Sequence, residues 1–137
     1  MNIRTIISAL LLALSLAMPA QTADYRESPE YLALRDSKHH SFNDGDSARF
    51  YVAVHRLQNY LQAKNDLHAY YTQRCNEIVF ELNRMNIFDA YKLAQQLSKE
   101  LAEKKLDKEM YMAINMMGHI YSYCGNKEAA KKCFWDV

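Results

Sequence analysis

The side chains with the most chemistry to offer are five histidines, His39, His40, His55, His68 and His119, and three cysteines, Cys75, Cys124 and Cys133. To bind a metal or move a proton they must converge with one another or with carboxylates, and on one helix face that takes i,i+3 or i,i+4 spacing. No two histidines have it. His39 and His40, with Asp36, Asp44 and Asp46 nearby, form one polar cluster, read here as a solvated helix end. The run Asp44-Gly45-Asp46-Ser47 opens like a calcium loop but lacks the later ligands and the closing Glu, so Ser47 reads instead as a helix cap. An odd cysteine count gives no disulfide framework. Cys124 and Cys133 lie where the two arms of a hairpin are expected, which makes a bridge conceivable. Three thiols packed as small hydrophobes is the preferred reading, with Cys75 on an apolar face. No cysteine has the histidine and acid context of a nucleophile in sequence. These residues predict no catalytic residue, no metal and no cofactor, and therefore a protein that is not an enzyme.

The elements carrying them read as helices throughout. Only three glycines and two prolines occur in 137 residues, against 50% hydrophobic residues, which argues against sandwiches, barrels and nucleotide-binding glycine loops. The formal charge is +1, and it falls to zero without the N-terminal segment, which holds Arg4 and no acid. That leaves no basic excess for phosphate neutralisation and speaks against nucleic acid as partner. Residues 1–23 read as a cleaved signal peptide: Arg4, an apolar run from Thr5 to Met18, then small and polar residues. The run is shorter than the roughly 20 residues a bilayer requires, so export, in a bacterium to the periplasm, is the expectation; the alternative is an uncleaved N-terminal anchor.

From Ser28-Pro29, an N-cap and first-turn proline, six helices are predicted, paired as hairpins over about residues 28–62, 67–102 and 108–137. The first is expected to fade near His39 and His40 before a polar loop from Asn43 to Asp46, and Asp107 is expected to cap the fifth. The second carries Phe50, Tyr51, Val54, Leu57, Tyr60 and Leu61 on one face, the third Leu67, Tyr70, Tyr71, Cys75, Ile78, Val79 and Leu82, the fourth Phe88, Tyr91, Ala94, Leu97 and Leu101. Placing Gly45, Met85 and Gly125 at equivalent turns gives a period of 40 residues, with the third helix one residue late, as one residue of slack at Met85 would explain. The last hairpin fits W-x2-L-G-x2-Y then A-x3-F through Ile114, Met117, Gly118, Tyr121, Ala130 and Phe134, read as the repeat core.

On those residues the final hairpin resembles a tetratricopeptide repeat. The stretch from His68 to Phe134, through HAYYTQRCNEIVFELNR, FDAYKLAQQLSKEL and LDKEMYMAINMMGHIYSYCGNKEAAKKCF, resembles the exported tetratricopeptide-type sensor regions of Bacteroidota sensor histidine kinases. The resemblance implies an all-α right-handed superhelix of stacked hairpins and a sensor or scaffold role in extracytoplasmic signalling, as in a two-component system. The chain departs from that family at Val137, inside the expected last helix, before any kinase region. A sensing or docking piece is the expectation, with self-association through an uncapped last helix that exposes Phe134 and Trp135.

In such a superhelix the first helix of each pair lines the inner face. The side chains left for that groove are Gln73, Asn76, Phe80, Asn83 and Arg84, then Met112, Asn115, His119, Ser122 and Tyr123. Of these Gln73, Asn76, Asn83, Arg84, Asn115, His119 and Tyr123 are the proposed peptide-binding set, because amides hydrogen-bond an extended backbone without demanding one sequence and because Asn76 and Asn115 are equivalent once the one-residue slip is allowed. The expected function is a non-enzymatic protein- or peptide-binding module. The alternative is a small all-helical periplasmic enzyme or metal-binding protein using His119, Tyr123 and the His39–His40 pair.

Overall fold

A computed structural model describes residues 24–135; the expected signal segment and the last two residues lie outside the described residues. A short 3-10 turn at Tyr25–Glu27 precedes six α-helices: α1 (Pro29–Asp44), α2 (Ser47–Ala63), α3 (Leu67–Asn83), α4 (Ile87–Glu103), α5 (Asp107–Tyr123) and α6 (Lys127–Trp135). The fold is all-α. Ser28 caps α1 as predicted, its hydroxyl accepting from the Tyr31 N–H at 3.2 Å. That helix does not fade at His39 and His40 but runs on to Asp44, and the loop expected from Asn43 shrinks to Gly45 and Asp46. The cap of α2 is Asp46, accepting from the Arg49 N–H at 3.1 Å, not Ser47, and α5 is preceded by Leu106 rather than capped by Asp107.

Those corrections share one cause, a turn that recurs every 20 residues. Gly45, Asn65, Met85, Lys105 and Gly125 all take left-handed backbone, with φ of 68°, 56°, 62°, 54° and 73°. After each of the last four, the next N–H reaches a carbonyl five residues back: Asp66 to Leu61 (3.1 Å), Asn86 to Glu81 (2.9 Å), Leu106 to Leu101 (3.0 Å) and Asn126 to Tyr121 (2.9 Å). This is the Schellman arrangement, which satisfies helix-end carbonyls and fixes where the following helix starts. Each of α2 to α5 is 17 residues long and is followed by a three-residue turn, so the 40-residue period is two 20-residue units. The excess over a usual repeat of about 34 residues lies in the helices, since the linkers between hairpins match the turns within them. No slack exists at Met85. Asn76 therefore falls in register with Met116, and Cys75 with Asn115, and the expected equivalence of Asn76 with Asn115 is lost.

Left-handed backbone costs a side-chain-bearing residue about 1–2 kcal/mol, of which glycine's extra unfolded-state entropy offsets only part. Met85 is 68% exposed and loses little packing on substitution. Met85→Gly and Lys105→Gly are each expected to raise stability by about 0.5–1 kcal/mol, read by urea denaturation. No gain at either site would contradict the turn geometry.

Successive helices pack on one another, and α3 also packs directly on α5. The main core fills the space between α3, α4 and α5 with Tyr71, Cys75, Ile78 and Leu82, then Ala90, Ala94, Leu97 and Leu101, then Met112, Ala113, Met116 and Ile120. The centres of the apolar faces read for α2, α3 and α4 are buried, but two residues read onto them are not: Leu67, at the start of α3, is 45% exposed and Phe88, at the start of α4, is 78% exposed, each in a first turn beyond the reach of the core. On α5 the row differs. Ile114, Met117 and Tyr121 are half-buried, while Met112, Ala113, Met116 and Ile120 are deepest, because α5 meets α3 and α4 on one side and α6 on another. Gly118 and Ala130 are buried as expected. Phe134 lies over Gly118, so close that an added Cβ would sit 2.5 Å from the ring, yet it stays 43% exposed. A second aromatic core forms around Phe50, Val54 and Phe80, with Phe42 and Tyr51 against it.

Candidate functional site

The predicted groove residues divide into three groups. Gln73 and Asn76 are half-buried on α3 and bond each other, the Asn76 amide donating to Gln73 Oε1 at 2.9 Å; Asn115 is half-buried on α5. Asn83 and Arg84 instead line a cleft of ≈ 340 Å³ with Phe42, Asn43, Gly45 and Phe80. There the Arg84 guanidinium donates to the Gly45 carbonyl and lies 5.4 Å from the centroid of the Phe80 ring. His119 and Tyr123 are exposed toward the C-terminal end of α5, where the His119 ring meets Phe134 of α6 at 5.3 Å between centroids. Phe80 and Met112 are core residues rather than open positions of the expected inner groove. Phe80 is 1% exposed, stacked on Phe50 with centroids 4.0 Å apart and planes 14° from parallel. Met112 belongs to the main core.

Sequence reasoning passed over a polar chain that crosses three helices. Arg74 Nη1 donates to Glu100 at 2.8 Å and Arg74 Nε lies 3.3 Å from Glu77; His55 Nε2 is 2.8 Å from the other Glu77 oxygen. Lys104 reaches Glu100 at 2.8 Å, and the Tyr71 hydroxyl donates to it at 3.1 Å. A parallel clamp joins α2 to α3: Glu81, buried, accepts from the Tyr51 hydroxyl at 2.6 Å and from the Asn86 amide at 2.7 Å. Burial, with Glu81 beside it, pushes the Tyr51 hydroxyl far above its ordinary value. Glu77, Glu81 and Glu100 are each engaged by two or more partners, so this network braces helices.

At the N-terminus of α3, Asp66 has three duties. It caps α3 through the Ala69 N–H (2.9 Å), and it accepts from the Tyr25 hydroxyl (2.5 Å) and Arg26 Nη2 (2.6 Å). The bond from Tyr25, then the Ala69 N–H and Arg26, hold its carboxyl below the ordinary range against the opposing effect of burial. Burial pushes Glu100 upward, but hydrogen bonds from Lys104 and Arg74 outweigh it and hold that carboxyl low as well. A folded-state value below the unfolded one contributes stability above the ordinary carboxylate range, and that stability is lost as pH falls through the folded value. The melting temperature is expected to fall progressively below about pH 4, where unfolded carboxylates titrate. Asp66→Asn should flatten this acid limb; an unchanged limb would contradict the bracing.

The histidines and cysteines stay apart from one another in role. His39 pairs with the Asn43 amide at 3.1 Å and sits 6.4 Å, centroid to centroid, from His40, both rings on the outside of α1. Among the described residues no group of three or more His, Cys, Asp or Glu could hold a metal ion. Cys75 is buried, and burial pushes its thiol up to about 11, so it is protonated at neutral pH. Cys124 is exposed and Cys133 half-buried, and both are free thiols; the expectation of three core thiols holds for Cys75 alone. No helix of the described residues is long and apolar enough to cross a membrane. Compared with protein-family models, curated proteins and solved structures, the chain matches none of them.

Proposed function

We propose that this chain is a non-enzymatic helical-repeat module that binds protein or peptide, a sensor or scaffold part of an extracytoplasmic signalling protein, with its hairpins stacked as a tetratricopeptide-like right-handed superhelix. The direct packing of α3 on α5 across the intervening α4 carries this reading, because it puts alternate helices into one layer as an inner wall requires. The N-terminal segment supports export to the periplasm. The binding set narrows to Gln73, Asn76 and Asn115, the half-buried amides of that layer, while Arg84 and His119 are engaged by Gly45 and Phe134. Such a wall reads a peptide backbone through amide hydrogen bonds.

Peptides selected from a random library on the wild-type chain test the assignment. The double variant Asn76→Ala, Asn115→Ala is expected to bind them about tenfold more weakly, as two lost hydrogen bonds of about 0.5–1.5 kcal/mol each imply. Equal affinity would sink the α3–α5 wall.

A further inference from the structure

The outer face of α2 presents unbalanced positive charge on a chain that is otherwise near neutral. Its 17 residues, SARFYVAVHRLQNYLQA, include Arg49, His55 and Arg56 and no acid. His55 is committed to Glu77. Arg49 and Arg56 are exposed, and among the described residues neither guanidinium takes part in an ion pair or a hydrogen bond. Arg49 sits in the first turn, where the helix dipole disfavours a cation, so helix stability does not account for it. Between the two arginines lies a cleft of ≈ 360 Å³ lined by Ser37 of α1 and by Ala48, Val52 and Ala53 of α2. Val52 is 60% exposed within it. Arg49, Val52 and Arg56 follow i, i+3, i+7 spacing and share one face, spanning about 10.5 Å along the axis. The acids next to the lining residues in sequence are engaged elsewhere: Asp46 caps α2, and Asp36 is paired with Arg35 at 2.8 Å.

We infer that this cleft is a docking site for an extended acidic segment of a partner protein, with an apolar side chain set between two carboxylates. Charge complementarity selects the occupant. In an extended chain, residues i, i+2 and i+4 point to one side and i to i+4 covers about 13 Å, which the flexible arginine side chains bracket. The apolar residue at i+2 then rests on Val52 and the two acids meet Arg49 and Arg56. This surface is separate from the α3–α5 wall and does not depend on it.

The probe is a fluorescently labelled peptide Ser-Glu-Ser-Leu-Ser-Glu-Ser titrated against the full chain, with the Gln-for-Glu peptide as control. Binding is expected for the acidic peptide alone, weakening as salt rises from 50 to 500 mM, and falling about tenfold in Arg49→Gln, Arg56→Gln with an unchanged melting temperature. Val52→Ser should weaken it further, whereas Asn76→Ala, Asn115→Ala should leave it unchanged. Equal binding of the control peptide, an unaffected arginine double variant, or full displacement by an equal concentration of inorganic phosphate would each overturn the inference.

Discussion

Phe80→Ala is expected to cost about 3–5 kcal/mol, a fifth or more of the roughly 5–15 kcal/mol stability of an ordinary domain. The ring is 1% exposed and stacks on Phe50, with Phe42 at 5.6 Å and Tyr51 at 6.1 Å between centroids. Removing it empties the centre of the aromatic core that joins α1 and α2 to α3. Phe80→Leu should recover much of the loss, since volume returns without the stacking. A groove-facing Phe80 would instead lose little on truncation. Urea denaturation separates the two: a midpoint within the error of wild type for Phe80→Ala would refute the core assignment.

Arg74→Ala is expected to cost about 3 kcal/mol or more, because it leaves Glu77, with 6% of its side chain exposed, without its buried cation. Among the described residues, His55, itself 56% exposed, is the basic neighbour that remains on Glu77. Glu100 retains Lys104 and Tyr71 and suffers less. The loss therefore comes mainly from an uncompensated carboxylate, and Arg74→Met, Glu77→Leu, which replaces both charges by apolar groups, should recover most of it. If the double variant is no more stable than Arg74→Ala, with thermal melts as the readout, the buried pair is not the source of the effect.

The helices were legible wherever one side is apolar and the other wet. For α2 and α4 the spacing of Phe50, Val54, Leu57 and Leu61, and of Ala94, Leu97 and Leu101, identifies the buried face without help. Helix α3 was harder because it buries two faces, Cys75, Ile78 and Leu82 toward α4 and Glu77, Phe80 and Glu81 toward α2. A single-stripe reading leaves the second face over and assigns Phe80 to a groove. The signal for the correct answer is present in EIVFE, two acids flanking apolar residues in a strongly apolar helix, opposite Tyr51 and His55 one helix earlier. Turns were legible at Gly45 and Gly125. They were invisible as left-handed caps at Asn65, Met85 and Lys105, where backbone hydrogen bonds rather than residue type enforce the conformation. Asn76 and Asn115 entered the site together through a register slip that uniform turns remove, so the wall now rests on the packing of α3 against α5 and on their half-buried amides, not on repeat equivalence.

Amide chemical-shift mapping addresses that wall most directly. The full chain, labelled with ¹⁵N, would be titrated with a peptide selected on it. The largest shifts are expected along α3 and α5, centred on Gln73, Asn76 and Asn115, with α4 and α6 little changed. Shifts concentrated on α4 and α6, or scattered evenly over all six helices, would contradict a binding wall built from alternate helices.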